Sequence, residues 1–588
     1  MTRTGLVVAA GVVLLLSAGA ETIRIDDAPF GRFRVVVPVF PERDYPITDF
    51  GAKPDGAKCT EAIKDAIASC SRAGGGRVVF PKGTWVTGAI HLKSGVDLHL
   101  DDGAVVAFTD DPADYPVVHT TWEGVECLNY SPLVFAYGCT NVAITGGGLL
   151  RPKMDRWRSW FDRPPAHMYA TECLYHWCST NAPMTARDVT AIRGSHVRPH
   201  LLQINRCQNV LLDGFRVRES PFWTIHLYLS RDCVVRNLKT YAHGHNNDGV
   251  DVDMSQDVLI ENCSFDQGDD GIVLKAGRNR DAWRLNTPTE RIVVRNCDLN
   301  NSHSLLGIGS ELSGGIRDVW MHDCRVGATY RGLNIKTNRR RGGFVENVYL
   351  ENCQIGEVIN VVNIATDVLY QWAKFPDYEL RYTAISNINV RGLSVSKAET
   401  AVKLKGDWHL PPKDIRLQDI SVGAVQEKFV DIDNCEGVEL ERVRLRVDGG
   451  KARFTVNRLL PVSGKIAEMS AGHRRAAEFF SRSDFAQLLP GVYQLGEGAV
   501  AKVEDIRLTP YDACSYLVDE THDRFYGMVQ ADGFECFRTG AFGQVNGLWH
   551  DEFVYIPAGQ RFADGLSLKT PCPEVRHVLI TVEMCGAK

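Results

Sequence analysis

Three aspartates and a histidine recur at a spacing that suits acid–base cleavage of a covalent bond. Asp248 lies in His245-Asn246-Asn247-Asp248-Gly249, Asp269 and Asp270 in Gly268-Asp269-Asp270-Gly271, and His303 in Ser302-His303-Ser304. Each segment starts at an apolar residue, Val234, Val258 or Ile292. Counting from these gives 14 for Asp248, 11 and 12 for the Asp pair, and 11 for His303. If each segment is one coil of a stacked solenoid, the four groups share a face, with neighbouring strands about 4.8 Å apart. Carboxylates crowded at that spacing cannot all ionise cheaply, so at least one pKa rises, and acid and base forms coexist near neutrality. Such a cluster titrates as a unit. The competing reading makes the same residues caps of solenoid turns.

The elements that must position this cluster are legible as a repeat. Similar short runs occur at Asn141-Val142, Asn209-Val210, Cys233-Val234, Asp257-Val258, Arg291-Ile292, Asp318-Val319, Asn347-Val348, Asn387-Ile388, Asp414-Ile415 and Gly437-Val438. From Val210 onward the intervals are 24, 24, 34, 27, 29, 40, 27 and 23 residues. A period in the twenties, with alternating apolar residues and Asn/Asp/Gly punctuation, is the signature of a β-solenoid. The chain reads as all-β, a parallel β-helix whose longer intervals are loops inserted on one side. Cys263, Cys297, Cys324 and Cys353 each fall 5 residues after an anchor. They are expected to form a vertical column of small apolar thiols inside the helix, spaced a little too widely for disulfides.

The 588 residues allow a long domain plus a second one. Arg3, the apolar residues 6–16 and Ala18-Gly19-Ala20 read as a secretory signal peptide, residues 1–20. The protein is therefore expected to be secreted or periplasmic, with no stable membrane insertion. Seventeen cysteines in an exported chain raise the question of disulfides. Cys173 and Cys178 are the pair favoured for a local bridge. A net charge of −6 argues against nucleic acid as a partner, and it requires that any attraction for an anionic substrate be local. Arg331, Lys336, Arg339, Arg340 and Arg341 are the densest basic run. The arginines read equally as a solvated turn, whereas Lys336, 17 residues after Val319, comes close to the phase of the acidic cluster. Near the N-terminus, residues 60–71 carry Ala62, Ile63, Ala66 and Ile67 at helical spacing and end at Gly74-Gly75-Gly76. This helix is expected to cap the exposed sheet edge at the end of the solenoid.

Several ordered motifs resemble glycoside hydrolase family 28, the polygalacturonases, over roughly residues 45–445. They are Ser220-Pro221-Phe222-Trp223-Thr224-Ile225-His226, Asn246-Asn247-Asp248-Gly249, Gly268-Asp269-Asp270-Gly271, His303 with Ile308-Gly309-Ser310-Glu311, and Arg331-Gly332-Leu333-Asn334-Ile335-Lys336. The resemblance implies a right-handed parallel β-helix and a hydrolase of acidic plant-type polysaccharide or its oligosaccharides that needs no cofactor or metal. Asp269 matches the general acid, Asp248 and Asp270 the pair that activates water, and His303 the histidine supporting the acid. Lys336 matches the lysine that contacts a substrate carboxylate, and Asn334, Asn246 and His226 fall at substrate-binding positions. An inverting mechanism calls for an acid and a base carboxyl roughly 6.5–9.5 Å apart.

Three departures stand out. Asn247 replaces the family's usual threonine. Ser302 and Ser304 flank His303 where glycines are usual. Asn334 stands where arginine is usual, replacing a forked cation with a neutral amide. That last change puts plain galacturonate in doubt and admits a modified uronide or a rhamnogalacturonan. Trp157, Trp160, Phe161, Tyr370, Trp372 and Trp408 are either sugar platforms or solenoid covers. Insertions at 151–198 and 365–382 are placed to close one end of a groove and favour attack at chain ends.

Beyond residue 447 the repeat fades. Residues 447–588 are expected to form a β-rich accessory domain with a helical stretch at 467–486, separate from the catalytic β-helix at 21–446. His550, Asp551 and Glu552 read as a surface turn, because adjacent strand residues face opposite sides and cannot share a metal. A calcium-dependent lyase and a non-catalytic glycan-binding β-helix are the rival functions, and a monomer is the expected state.

Overall fold

The computed structural model describes residues 21–368, 381–407 and 409–447, together with separate strands between 453 and 583. The expected signal peptide at 1–20, Tyr370, Trp372, Trp408, His550, Asp551 and nearly all of 467–486 lie outside the described residues. Successive coils pair in parallel along the chain. Gln208–Asp213, Arg231–Arg236, Gln256–Glu261, Thr289–Arg295, Ile316–His322 and Phe344–Glu351 stack into one ladder. Leu202–Asn205, Ile225–Tyr228, Val250–Asp253 and Ile272–Lys275 form another, continued by Asp298–Gly309 and Arg325–Lys336. Inward residues of both ladders make one continuous apolar core. The architecture is a right-handed parallel β-helix.

The punctuation residues have a definite backbone task. Asn209, Asp232, Asp257, Arg291, Asp318, Asn347, Asn387 and Asp414 all adopt left-handed φ of 53–56° at the corner where each coil turns. Asn and Asp tolerate this region best, since short polar side chains can bond locally there. Asn347 indeed donates to Asp318 (2.8 Å) and Asn387 to Asn347 (2.7 Å), so the corners form a hydrogen-bonded ladder.

Register corrects one anchor. Cys233, not Val234, pairs with Val210 and Val258. A slip of one residue reverses which face a side chain occupies. Val234 accordingly points outward, where Phe33, Val35 and Val37 of an N-terminal hairpin cover it. The cysteine column is present, with Cys263, Cys297, Cys324 and Cys353 all buried and unbridged, and the Cys297 amide donating to Cys324 Sγ at 3.4 Å.

The Cys173–Cys178 bridge does not form, and both thiols are free. The two lie five residues apart on the helix Pro165–Thr180, so they point roughly 140° apart around its axis. The N-terminal helix is Thr60–Arg72, and its Ile63, Ala66, Ile67 and Cys70 seal the first coil as expected. Far along the chain, five strands between Tyr516 and Leu568 form a separate antiparallel sheet. Among the described residues no helix is long and apolar enough to cross a membrane.

Candidate active site

The coil register brings the four candidate residues together. Val250 pairs with Ile272, so Asp248 and Asp270 occupy the same point of successive coils, each just before a strand begins. The Gly249 amide donates to the Asp270 carbonyl (2.9 Å) and the His303 amide to the Asp269 carbonyl (3.0 Å). His303 therefore sits one coil beyond Asp269, as Asp270 sits one coil beyond Asp248. One carboxylate oxygen from each aspartate lies within 4.8 Å of the others. That is closer than two opposed carboxyl groups of an inverting pair, roughly 6.5–9.5 Å apart. Coil rise and chain adjacency set the spacing, because two of the aspartates are stacked and two are sequence neighbours.

Asp269 is the most engaged member. Its Oδ1 lies 3.0 Å from His303 Nδ1 and accepts the Asp270 amide at 3.0 Å, while Oδ2 accepts the Asn246 amide at 3.1 Å. Lys336 donates to Asp270 Oδ2 at 2.9 Å. Asp248 is 3% exposed, and its Oδ1 has no hydrogen-bond partner.

The electrostatics divide these groups. Burial, then the Asp269 charge, pushes the Asp248 carboxyl well above the usual range. Burial also opposes ionisation of Asp269, but the His303 bond and charge, with Lys336 and Lys275, overcome it and hold that carboxyl below its ordinary value. His303 moves the other way: burial disfavours its cation, yet the Asp269 contact raises its pKa above 6.5. Three carboxylates could offer one oxygen each to a metal. Two ammonium groups and an imidazole already face them, at 2.9 Å for Lys336, 3.8 Å for Lys275 and 3.0 Å for His303.

Lys275 was not legible as a site residue. It is 5% exposed and lies 3.8 Å from Asp248, 3.6 Å from Asp251 and 3.3 Å from Glu311, with its ammonium 4.5 Å from the Trp223 ring centre. Glu311 also takes the Arg278 guanidinium at 2.5 Å. The available signal was charge on otherwise aliphatic strands, Val250-Asp251-Val252-Asp253 and Ile272-Val273-Leu274-Lys275, whose register puts Asp251, Asp253 and Lys275 on one face.

Two side chains expected to contact substrate are enclosed by their neighbours. His226 is wholly enclosed, its Nδ1 on Gln203 at 3.0 Å and its Nε2 3.2 Å from Asp253, so no part of it reaches the cleft. Asn334 is 4% exposed, donating to Ser304 Oγ (3.2 Å) and accepting from Asn363 (2.9 Å) in an amide ladder.

The cleft has one walled and one open side. On the walled side the helix Pro165–Thr180 packs Ala170, Leu174 and Tyr175 with Trp122, Phe222 and Trp223. Trp157 is buried in the core of the β-helix, edge-on to Tyr115. Trp160 stacks on His196 at 5.3 Å, and Phe161 lies beneath the Arg198 guanidinium at 4.4 Å. Arg198 and Arg163 both donate to Asn246 Oδ1, at 3.0 and 3.1 Å. Burial pushes Arg198 down to about 9. Burial, then Arg198 and Arg163, pushes His245 down to about 4. On the open side, a groove of about 470 Å³ is lined by His243, His303, Tyr330, Glu357, Lys397 and Glu399, among others.

Comparison with known proteins gives the family. Residues 185–443 match the model of glycosyl hydrolases family 28. A solved exopolygalacturonase from Thermotoga maritima is 32% identical, with 72% of this chain and 94% of that one covered and a TM-score of 0.60. The chain belongs to glycosyl hydrolases family 28. Among curated family relatives, a probable polygalacturonase of Vitis vinifera is 26% identical over 51% of this chain and 58% of its own length. An exo-poly-alpha-D-galacturonosidase of Dickeya chrysanthemi is 26% identical over 50% and 52%. The chain thus spans a little over half the length of these two curated relatives.

Proposed function

We propose that this family 28 protein hydrolyses glycosidic bonds in a galacturonate-containing, pectin-type polysaccharide, with inversion at the anomeric carbon. The observation that carries the reading is the Asp269–His303 pair set against the stacked Asp248 and Asp270. Asp269 is the acid. The arrangements His303-H⁺···Asp269⁻ and His303···H–Asp269 differ by one proton moved along a 3.0 Å contact, so the pair stores a proton and delivers it to the leaving oxygen. Asp248 and Asp270, at one position of successive coils, hold the attacking water between them and remove its proton. This division requires Asp248 to be ionised in the substrate complex, and Lys275 and Lys336 supply the opposing charge.

The lysines also favour hydrolysis over a calcium-dependent lyase, since they occupy the anionic field a cation would need. The wall beside Asp248 supports attack at chain ends, with the polymer leaving along the open groove. The buried Asn334 amide supports a second reading of the sugar, a rhamnogalacturonan or a modified uronide. The remaining assignments belong to the same proposal: export directed by residues 1–20, a catalytic unit at 21–446, a β-rich accessory unit at 447–588, and a monomer.

Wild type and Asp269→Asn protein are to be screened on acidic polysaccharides, with products separated by size and anomeric form. Inverted, saturated products shortened from chain ends, lost in the variant, are expected. Retained configuration overturns the mechanism, and the carboxylate spacing makes this a sharp test because retaining pairs lie roughly 5–5.5 Å apart. Unsaturated products abolished by chelation would establish the lyase, and binding without release of reducing ends the non-catalytic reading.

A further inference from the structure

We propose that Arg163 and Arg198, carried on the inserted segment that walls the cleft, form an anion subsite for the carboxylate of the terminal sugar, at the opposite end of the acidic cluster from the uncharged Asn334. This deepens the proposed function and rests on it.

Four observations converge. Asn334 offers no charge, and its amide is engaged on both sides by Ser304 and Asn363. Lys336 directs a hydrogen bond to Asp270. Arg198 is 2% exposed, held between Phe161 (4.4 Å) and Phe222 (5.0 Å). It donates only to neutral oxygens: the Pro221 and His245 carbonyls at 2.9 and 3.1 Å and Asn246 Oδ1 at 3.0 Å. Arg163, exposed, points a second guanidinium at that same amide oxygen from 3.1 Å.

Two like charges converging on one neutral acceptor is an unfavourable arrangement that an anion between them would relieve. Neither arginine has a carboxylate ion-pair partner among the described residues. Glu123, Asp248 and Asp269 act on Arg198 only at a distance, as Arg163 does on Glu123, so direct hydrogen bonding of the two guanidiniums to an anion is left to a group from outside. Its position suits substrate. The amide of the same Asn246 donates to Asp269, which places the guanidiniums one residue away from the proposed acid, on the closed side of the cleft. Arginine is suited to this task, because its planar fork grips a carboxylate through two charge-assisted hydrogen bonds. The wall thus supplies both the stop for a chain end and the group that recognises it.

The test uses galacturonate trimers identical except that the residue released by the enzyme carries a free carboxylate or its methyl ester. The readout is the ratio of kcat/KM for acid over ester. Wild type is expected to favour the acid, and Arg163→Gln to lower the ratio by about tenfold, the equivalent of about 1.4 kcal/mol. Arg163→Lys is expected to fall between. An unchanged ratio in both Arg163→Gln and Arg198→Lys overturns the subsite. The hydrolase reading is separated by a binding measurement on Asp269→Asn protein, titrated calorimetrically with galacturonic acid and its methyl ester. Preferential binding of the acid that Arg163→Gln removes supports the subsite even if wild type releases no sugar. Cleavage of both trimers at one ratio in every variant leaves the hydrolase standing and removes the subsite.

Discussion

The same coil rise builds two columns of opposite character. Inside, Cys263, Cys297, Cys324 and Cys353 stack as neutral thiols that fill space and satisfy themselves on neighbouring backbone, as Cys324 does on the His322 carbonyl at 3.2 Å. Outside, Asp248 and Asp270 stack with Asp269 and His303 at the adjacent position, and there the spacing forces charges together. Neutral groups at this separation cost little, whereas carboxylates raise one another's pKa and demand counter-charges. The β-helix therefore needs no special backbone to make an active site. It needs only ionisable side chains at equivalent positions and cations to keep them in place.

This contrast can be broken from the outer column first. Replacing Asp269 with Asn removes the proton donor without changing its shape. Its kcat on a cleaved polymer is expected to fall about 10²–10⁴-fold, the range general acid catalysis contributes, while thermal unfolding stays close to wild type. Lys275→Met comes next. Losing one member of a buried charge group typically costs about 3–5 kcal/mol. The variant should unfold at much lower denaturant concentration, because Asp248, Asp251 and Glu311 would share a site with one cation fewer.

Titration sharpens the comparison. Asp248 acts as a base, and its pKa is raised, so activity should be lost as pH falls through a value above the ordinary carboxylate range. His303 holds the acid's proton with a raised pKa, so activity should be lost as pH rises through a value above 6.5. His303→Asn is expected to displace the alkaline limb of the kcat/KM profile, with a loss of about tenfold to a hundredfold at the optimum. An alkaline limb unmoved by that substitution would remove His303 from the proton path. The smallest effect belongs to the inner column. Cys297→Ala should cost about 1 kcal/mol of stability, measured by denaturant unfolding, with kcat unchanged. A large loss of activity there would erase the distinction between the columns.

Much of the scaffold could be read before any coordinates. Asn or Asp before most anchors marks a left-handed corner, with Arg291 and Gly437 doing so before Ile292 and Val438, and the intervals between anchors give the coil length. The arithmetic failed by one residue at Val234, because Cys233-Val234-Val235 is apolar on both faces. The neighbouring residues could not reveal that a distant hairpin covers the outer side. The aspartate trio and His303 were legible because each is tied to a strand start. His226 also lies in a recognisable motif, but burial under His200 and Trp223 is decided by the loops above it. Lys275 was missed for a related reason: an outward lysine on a strand ordinarily means solvent.

By itself, the sequence determined the β-helix, its capping helix and the meeting of Asp248, Asp269, Asp270 and His303. Periodicity is a local property, and a constant coil length turns sequence spacing into spatial stacking. Only the tertiary structure decided what surrounds that cluster. Arg163 and Arg198 sit in an aperiodic insertion, and its place beside Asn246 follows from long-range packing on Phe222, Trp223 and Trp122. Such packing depends on shapes brought together from distant parts of the chain, which no repeat encodes.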